Sequence, residues 1–396
     1  MASTTFQRDS THTNLVPQRW SRDDYKFGFE ANPLKNYMGT SENSIIQVNK
    51  DFLKAQGDKI TFALRALLTG SGQTDDGTYE DNEESMTFYD DSIQIHERGN
   101  SVLLSGNMTE QAAYAKLRPK GRAALREWVG RVQARDIIDA LSGLQSKSFA
   151  GQVTGGNALD ASSNQIETVN RVTLVGGKSA TATRYFAGGN SSSGTFERVA
   201  NNAAIDSSTN NLFGTLVIEY VKRMATKTID SSGNAVSPIR PIYVDGEPHY
   251  VFFIDRLQFK ALKAETRWKE SQQYAGLRGK KNPIFNGAAG VFDGVVIKVS
   301  DLLHRRTGAG GTTPAEYFDS TADPCASGIT VARGLFVGAQ AAGLAWGKMP
   351  IWEEGFKDWQ KTKWGCHTNM IYGTKKTVFN SIPFGCIVVD TAVATD

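Results

Sequence analysis

The sequence predicts an α+β fold, and three observations carry that reading. Residues 109–143 repeat apolar side chains at helical spacing over a long, strongly basic stretch. Runs with strand character lie on both sides of that helix, at Lys59–Leu64, Met86–Tyr89, Tyr250–Ile254, Val295–Val299 and Cys386–Val389. Between them, residues 144–210 are dense in Ser, Gly, Asn, Thr and Ala, so the regular elements fall into separate blocks.

A chain of 396 residues is long enough for two or three lobes and a sizeable core. With 40% hydrophobic and 21% charged residues it reads as a folded protein. A formal net charge of +3 is too small to argue for nucleic acid by itself. Cys325, Cys366 and Cys386 are odd in number and widely spaced, which excludes a disulfide framework or zinc ladder and fits a reducing compartment. The opening MASTTFQRDSTHTN lacks the apolar core of a signal peptide. No apolar run reaches the length of about 18 residues that a membrane helix needs, so no membrane partner is expected and folding in a cytoplasm is.

Residues 1–56 read as an extended arm. Phe6, Trp20, Tyr25, Phe27, Phe29 and Tyr37 are scattered through it without a period, so it cannot build its own core and should bury its aromatics on other surfaces. Ile45–Phe52 reads as a short amphipathic segment. Residues 57–105 read as a long hairpin, with the strand Lys59–Leu64, a return from Met86 and the alternation Ile93-Gln94-Ile95. Its tip carries Asp75, Asp76, Glu80, Asp81, Glu83 and Glu84, and the acidic run continues to Asp90 and Asp91 with no basic residue inside it. The spacing does not match an EF-hand loop.

The helix is expected to start at Thr109, a side-chain cap, and to stop at Ser142-Gly143. Leu117, Ala124, Leu125, Trp128, Val129 and Val132 form its apolar stripe, and Ile137, Ile138 and Leu141 continue burial. Pro119 removes one backbone hydrogen bond and is expected to bend or divide it. Lys116, Arg118, Lys120, Arg122, Arg126, Arg131 and Arg135 stand against Glu127 alone between 116 and 135. That face is either a solvated surface or a site for an anion, protein or nucleic acid.

Residues 144–210 read as surface loops with an inserted hairpin, including a strand piece at Val172–Val175. Leu212–Thr226 reads as a helix burying Leu212, Leu216, Ile218, Tyr220 and Met224. Asp255 caps a helix from Arg256. The small residues of Gly334–Trp346 suggest a helix packed closely on a sheet. Residues 366–396 are strands returning to the core.

No HExxH, GxSxG, Walker loop or CxxC is present, so no catalytic, cofactor or metal site is expected. His96-Glu97 and Cys366-His367 are ordinary sequence neighbours, and Gly308–Gly311 is a turn. A nucleic-acid module using the basic helix is the other class to weigh. Its aromatics are not interleaved with the cations as stacking platforms require.

Several short pieces in fixed order carry a resemblance. They are Gly57–Phe62, Asn82–Glu84, Leu125–Trp128, Ile239–Ile242, Asn282–Gly287 with Gly290–Gly294, Gly338–Ala342, and Gly373–Lys376 through Phe384–Asp390. With arm, hairpin, long helix and α+β lobe in that order, the chain resembles the Hong Kong 97 (HK97) shell fold of tailed bacteriophages. Locally it is similar to the major capsid protein family of N4-like phages, from about residue 55 to the C-terminus. Residues 144–210 do not match cleanly. The resemblance implies an N-terminal arm (1–56), an extended loop (57–105), the spine helix of a peripheral domain (106–144), a mainly axial domain (145–365) and returning strands (366–396). It implies homo-oligomeric hexamers and pentamers, scaffold and portal proteins as assembly partners, a decoration protein as a further candidate, and packaged double-stranded DNA inside. It also implies that the acidic hairpin tip meets Arg118, Arg122 and Arg126 of a neighbouring subunit, and that Trp20, Tyr25, Phe27 and Phe29 bury there.

Overall fold

The computed structural model describes residues 34–50, 57–65, 68, 72–75, 77–80, 83–103, 117–143, 169–170, 183–190, 195–199, 204–205, 210–228, 236–244, 246–274, 289–307, 328–357 and 363–393. Two sheets and one long helix organise them. The smaller sheet has six strands: β1 (Met38–Gly39), β2 (Ile46–Asn49), β5 (His96–Leu103), β6 (Val169–Asn170), β15 (Ala342–Phe356) and β16 (Trp364–Lys376). Its path is β1-β2-β15-β16-β5, with β6 also on β16. Between β2 and β5 the chain makes a separate hairpin, β3 (Lys59–Arg65) and β4 (Phe88–Gln94). The larger sheet has nine strands: β7 (Tyr185–Asn190), β8 (Phe196–Arg198), β9 (Ile242–Val244), β10 (Glu247–Ile254), β11 (Gly290–Phe292), β12 (Val295–Val299), β13 (Arg305–Thr307), β14 (Thr330–Val337) and β19 (Cys386–Val393). Its path is β11-β12-β10-β14-β19-β7-β8. A small hairpin, β17 (Val378–Phe379) and β18 (Ile382–Pro383), leads into β19.

The nine-stranded sheet is covered on both faces, which is why its strands read as unbroken apolar runs. Phe252, Ile254, Phe336, Ile387 and Val389 pack under the helices α2 (Thr215–Thr226), α3 (Arg256–Ala264) and α4 (Thr266–Tyr274). From the other face, Val251, Phe253, Leu335 and Val388 join Leu344, Trp346 and Tyr372 of the smaller sheet in one core. The long helix, α1 (Leu117–Ser142), inserts Ile137, Ile138 and Leu141 into that same core. Each such side chain, fully buried, contributes about 1.5–3 kcal/mol.

α1 ends where the sequence expects it to. Gly143 has φ 71°, the left-handed turn that stops a helix. The Thr109 cap lies outside the described residues. The helix is not divided after Arg118: it runs unbroken through Pro119 from Leu117 to Ser142, and the residues before Leu117 lie outside the described residues. Ala124 is exposed rather than part of the apolar stripe, whereas Leu125, Val129 and Val132 are buried. From Ala134 to Ser142 every residue is buried, so the single stripe gives way to burial all round.

Asp255 caps α3 through a capping box with Gln258, as its position before the helix predicts. Other expectations are corrected. Gly334–Trp346 is not a helix but the end of β14 and the start of β15. Its small residues are there because layers cross closely. A Cβ on Gly343 would lie 2.5 Å from Ile93 Cδ1, and one on Gly338 2.3 Å from the Arg240 carbonyl oxygen. α2 begins at Thr215 and buries Ile218 and Met224 as expected, together with Val217, Val221 and Ala225; Tyr220 is half-buried against the same core, and Leu216 is not fully buried. Leu212 sits instead in a β-bridge with Asn190 and Ala392. The return strand of the hairpin begins at Phe88 rather than Met86. Ile45–Phe52 contributes the strand β2, parallel to β15.

The 144–210 stretch is not wholly surface loop either. Its strand β7 is buried at every position and lies parallel to β19 inside the larger sheet. Its composition misleads because Gly188 and Gly189 are demanded by close strand approach. A Cβ on Gly189 would come within 2.2 Å of the Leu212 carbonyl oxygen. The Val172–Val175 piece lies outside the described residues.

Candidate assembly surface

The β3–β4 hairpin forms a sheet of two strands only, with Lys59 opposite Gln94 and Arg65 opposite Phe88. Alternation places Ile60, Phe62 and Leu64 on one face with Ile93, Asp91 and Tyr89. Only the base of that face has a core, where Ile60 and Ile93 meet Ala345. Further out, Leu68, Tyr79, Met86 and Phe88 are each more than half exposed. Asp75, Glu80, Glu83 and Glu84 are exposed in the same segment, with Asp75 in a left-handed turn at φ 54°. Asp76 and Asp81 lie outside the described residues, as do the arm aromatics Trp20, Tyr25, Phe27 and Phe29. A two-stranded hairpin is marginal in water without something to lean on. This one presents apolar side chains and carboxylates together.

The basic residues of α1 are partly engaged by their own chain. Arg118, Arg122 and Arg126, four residues apart, lie over the outer half of the β15–β16 hairpin. Arg118 sits 5.3 Å from the ring centre of Trp364, and Arg126 5.8 Å from that of Trp352. Arg122 pairs with Glu354. The aromatics that sequence spacing keeps apart from the cations are brought to them by this long hairpin. The Arg122 side chain is 48% exposed, so its pair contributes only about 0–1 kcal/mol.

A second group of charges went unseen in the sequence. In the buried part of α1, Asp136 accepts hydrogen bonds from Arg98 of β5 and from the Tyr372 hydroxyl of β16. Burial pushes the Asp136 carboxyl up, and Arg98 and Tyr372 pull it back. One turn later, Asp139 Oδ1 lies 2.9 Å from His304 Nε2, which stands just before β13. Arg333 of β14 donates to both Asp390 oxygens at 2.7 and 2.6 Å, and to the Ser142 carbonyl at 3.1 Å. Lys376 reaches the Leu141 carbonyl at 3.4 Å. Two cations therefore meet the last carbonyls of α1, where unsatisfied acceptors and the helix dipole favour them. The available signal was the interruption of Ala134, Ile137, Ile138, Ala140 and Leu141 by Arg135, Asp136 and Asp139. Charges at buried helical positions imply partners.

Among the described residues no group of three or more His, Cys, Asp or Glu is placed to hold a metal ion. No helix among them is long and apolar enough to cross a membrane. What stands out is a body with two sheets, a helix joining them and a projecting hairpin. Residues 20–395 match the model of the phage capsid protein family. The chain belongs to that family. This capsid protein is 26% identical over 375 residues to the major capsid protein of Pseudomonas phage KPP25, covering 93% of this chain and 91% of that one. Its structure is similar to the capsid of Ralstonia phage GP4, with TM-score 0.77 and 23% identity over 100% of this chain and 99% of the other. It is also similar to the Cyanophage Pam1 capsid asymmetric unit, with TM-score 0.69 and 20% identity over the full length of both chains. The shell-protein fold expected from the sequence is borne out. The capsid protein is a structural component of the virion and not an enzyme.

Proposed function

We propose that this capsid protein is the major shell subunit of a tailed phage of the N4-like group. It assembles in the host cytoplasm into hexamers and pentamers of an icosahedral shell around double-stranded DNA. The observation that carries this reading is the projecting β3–β4 hairpin, whose exposed Leu68, Tyr79, Met86 and Phe88 have no cover within the described residues. The likeness to whole capsid chains, end to end, supports it. In this reading residues 1–56 are the arm, 57–105 the extended loop, 106–144 the spine helix, 145–365 mainly the axial domain and 366–396 the returning strands. Asp75, Asp76, Glu80, Asp81, Glu83 and Glu84 then meet Arg118, Arg122 and Arg126 of the next subunit, and Trp20, Tyr25, Phe27 and Phe29 bury on neighbours, whereas Tyr37 is buried against Phe253 of its own chain. Scaffold and portal proteins act during assembly, and a decoration protein is a further candidate. Electron microscopy of the purified chain tests the proposal. Shells or capsomers with five- and six-fold units are expected. A chain that stays monomeric at high concentration, alone and with its phage's other head proteins, overturns it.

A further inference from the structure

We infer that Asp91 and Lys375 form a clamp that fixes the angle at which the β3–β4 hairpin leaves the body, presenting it to a second copy of this chain. The clamp stands on geometry alone; the identity of the partner rests on the capsid reading above. Asp91 closes the acidic run at the hairpin's base, on the face that carries Ile60 and Ile93. Its Oδ1 pairs with Lys375 Nζ, and its Oδ2 accepts from the Val378 backbone N–H at 3.0 Å. Lys375 Nζ also donates to the Ser92 carbonyl at 3.0 Å. The two side chains are only 10% and 17% exposed, so water screens the pair weakly. Both partners lie where the chain leaves β16 for β17, on its way between the two sheets. The hairpin is therefore tied to the junction of the molecule.

The seat beneath is cut to fit. A Cβ on Gly373 would lie 2.0 Å from the Gln94 carbonyl oxygen, and one on Gly343 2.5 Å from Ile93 Cδ1. Beyond Gln94, Ile95 alone separates β4 from β5, and β5 is held along its length by β16. A hairpin joined to a fixed strand through one residue is free to swing unless something stops it. The Ile60–Ile93–Ala345 cluster seats the base, and the Asp91 clamp with the two glycine seats sets the direction. Holding one orientation in advance removes an ordering cost from the contact with a neighbour.

The test measures orientation and assembly separately. Spin labels are introduced as unnatural amino acids at Thr87 and Lys227, both exposed, leaving the native cysteines untouched. Pulsed electron resonance on soluble subunits should give one narrow distance distribution. Lys375→Met keeps the aliphatic packing and should broaden it at least about twofold, in a subunit whose circular dichroism is unchanged. If the clamped orientation falls to about a tenth of the population, apparent association weakens about tenfold per contact, so the threshold concentration for shells rises. Asp91→Asn retains an acceptor for Val378 and should broaden the distribution less; it also serves if Lys375→Met does not fold. An unchanged distribution in both variants overturns the clamp. A broadened distribution with an unchanged assembly threshold leaves the clamp standing and overturns the reading of the hairpin as a contact between subunits.

Discussion

In the first half of α1, Leu117 to Gly130, Arg118, Arg122 and Arg126 spread over Trp364, Glu354 and Trp352 at the surface. In the second half, Arg131 to Ser142, Asp136 and Asp139 are buried and tied to opposite sheets, through Arg98 and Tyr372 on one side and His304 on the other. The first set lies at the surface: two cations over aromatic faces and one partly exposed ion pair, where the proposed reading brings a neighbour's carboxylates. The second set is structural. It joins the smaller sheet, the helix and the larger sheet, and removing one member strands another without water. One helix thus carries an adaptable outer end and a locked inner end.

The largest expected effect lies at the locked end. Arg333→Met removes the ion-pair partner of buried Asp390, which keeps a hydrogen bond from the Tyr185 hydroxyl, and a donor to the Ser142 carbonyl. It should cost about 3–5 kcal/mol in urea unfolding of soluble subunits. Adding Asp390→Leu should recover much of that loss, because no charge is then stranded. If the single change costs under about 1 kcal/mol, the distinction between the two ends fails.

Packing should show the same contrast. Ile137→Ala opens a cavity between the sheets and should cost about 2–5 kcal/mol, whereas Ala124→Ser on the exposed side should stay within about 0.5 kcal/mol. Thermal unfolding of both variants checks this.

At the adaptable end, assembly should respond more than stability. Glu83→Lys with Glu84→Lys should raise the threshold concentration for DNA-free shells while the unfolding midpoint holds. Adding Arg122→Glu and Arg126→Glu should restore part of the assembly. Normal assembly of the reversed hairpin would favour an inward, DNA-facing role for the basic face instead. Arg122→Gln alone should cost the subunit under about 1 kcal/mol, and raised salt should erase the difference. The smallest effect is chemical. Burial pushes the Cys386 thiol up to about 11, against the pull of Lys376. Thiol reagents at pH 8 should leave it unlabelled in native subunits and label it after unfolding, as read by mass spectrometry.

Local physics made much of the chain legible in advance. The Asp255 cap, the Gly143 stop, the Lys59–Leu64 strand and the apolar runs at Tyr250–Ile254 and Cys386–Val389 follow from backbone propensity and side-chain alternation within a few residues. The projecting acidic hairpin was legible too, because a long polar tip between two short strands cannot make its own core. What the sequence could not settle depended on which distant segment lies alongside. Gly334–Trp346 reads as a helix by composition, and becomes strand because β10 and β19 pair with its first part and β16 and β2 with its last, while Ile93 and Arg240 leave no space for a Cβ at Gly343 and Gly338. The Gly188-Gly189 pair reads as loop, and becomes a core strand because Asn211 and Leu212 cross it. Asp136 and Asp139 get no role from local pattern, and acquire one only when Arg98, Tyr372 and His304 arrive from 38, 236 and 165 residues away. A periodic pattern records which side of an element avoids water. It does not record which distant polar group replaces that water, and at the end of α1 that replacement is supplied by strands of both sheets.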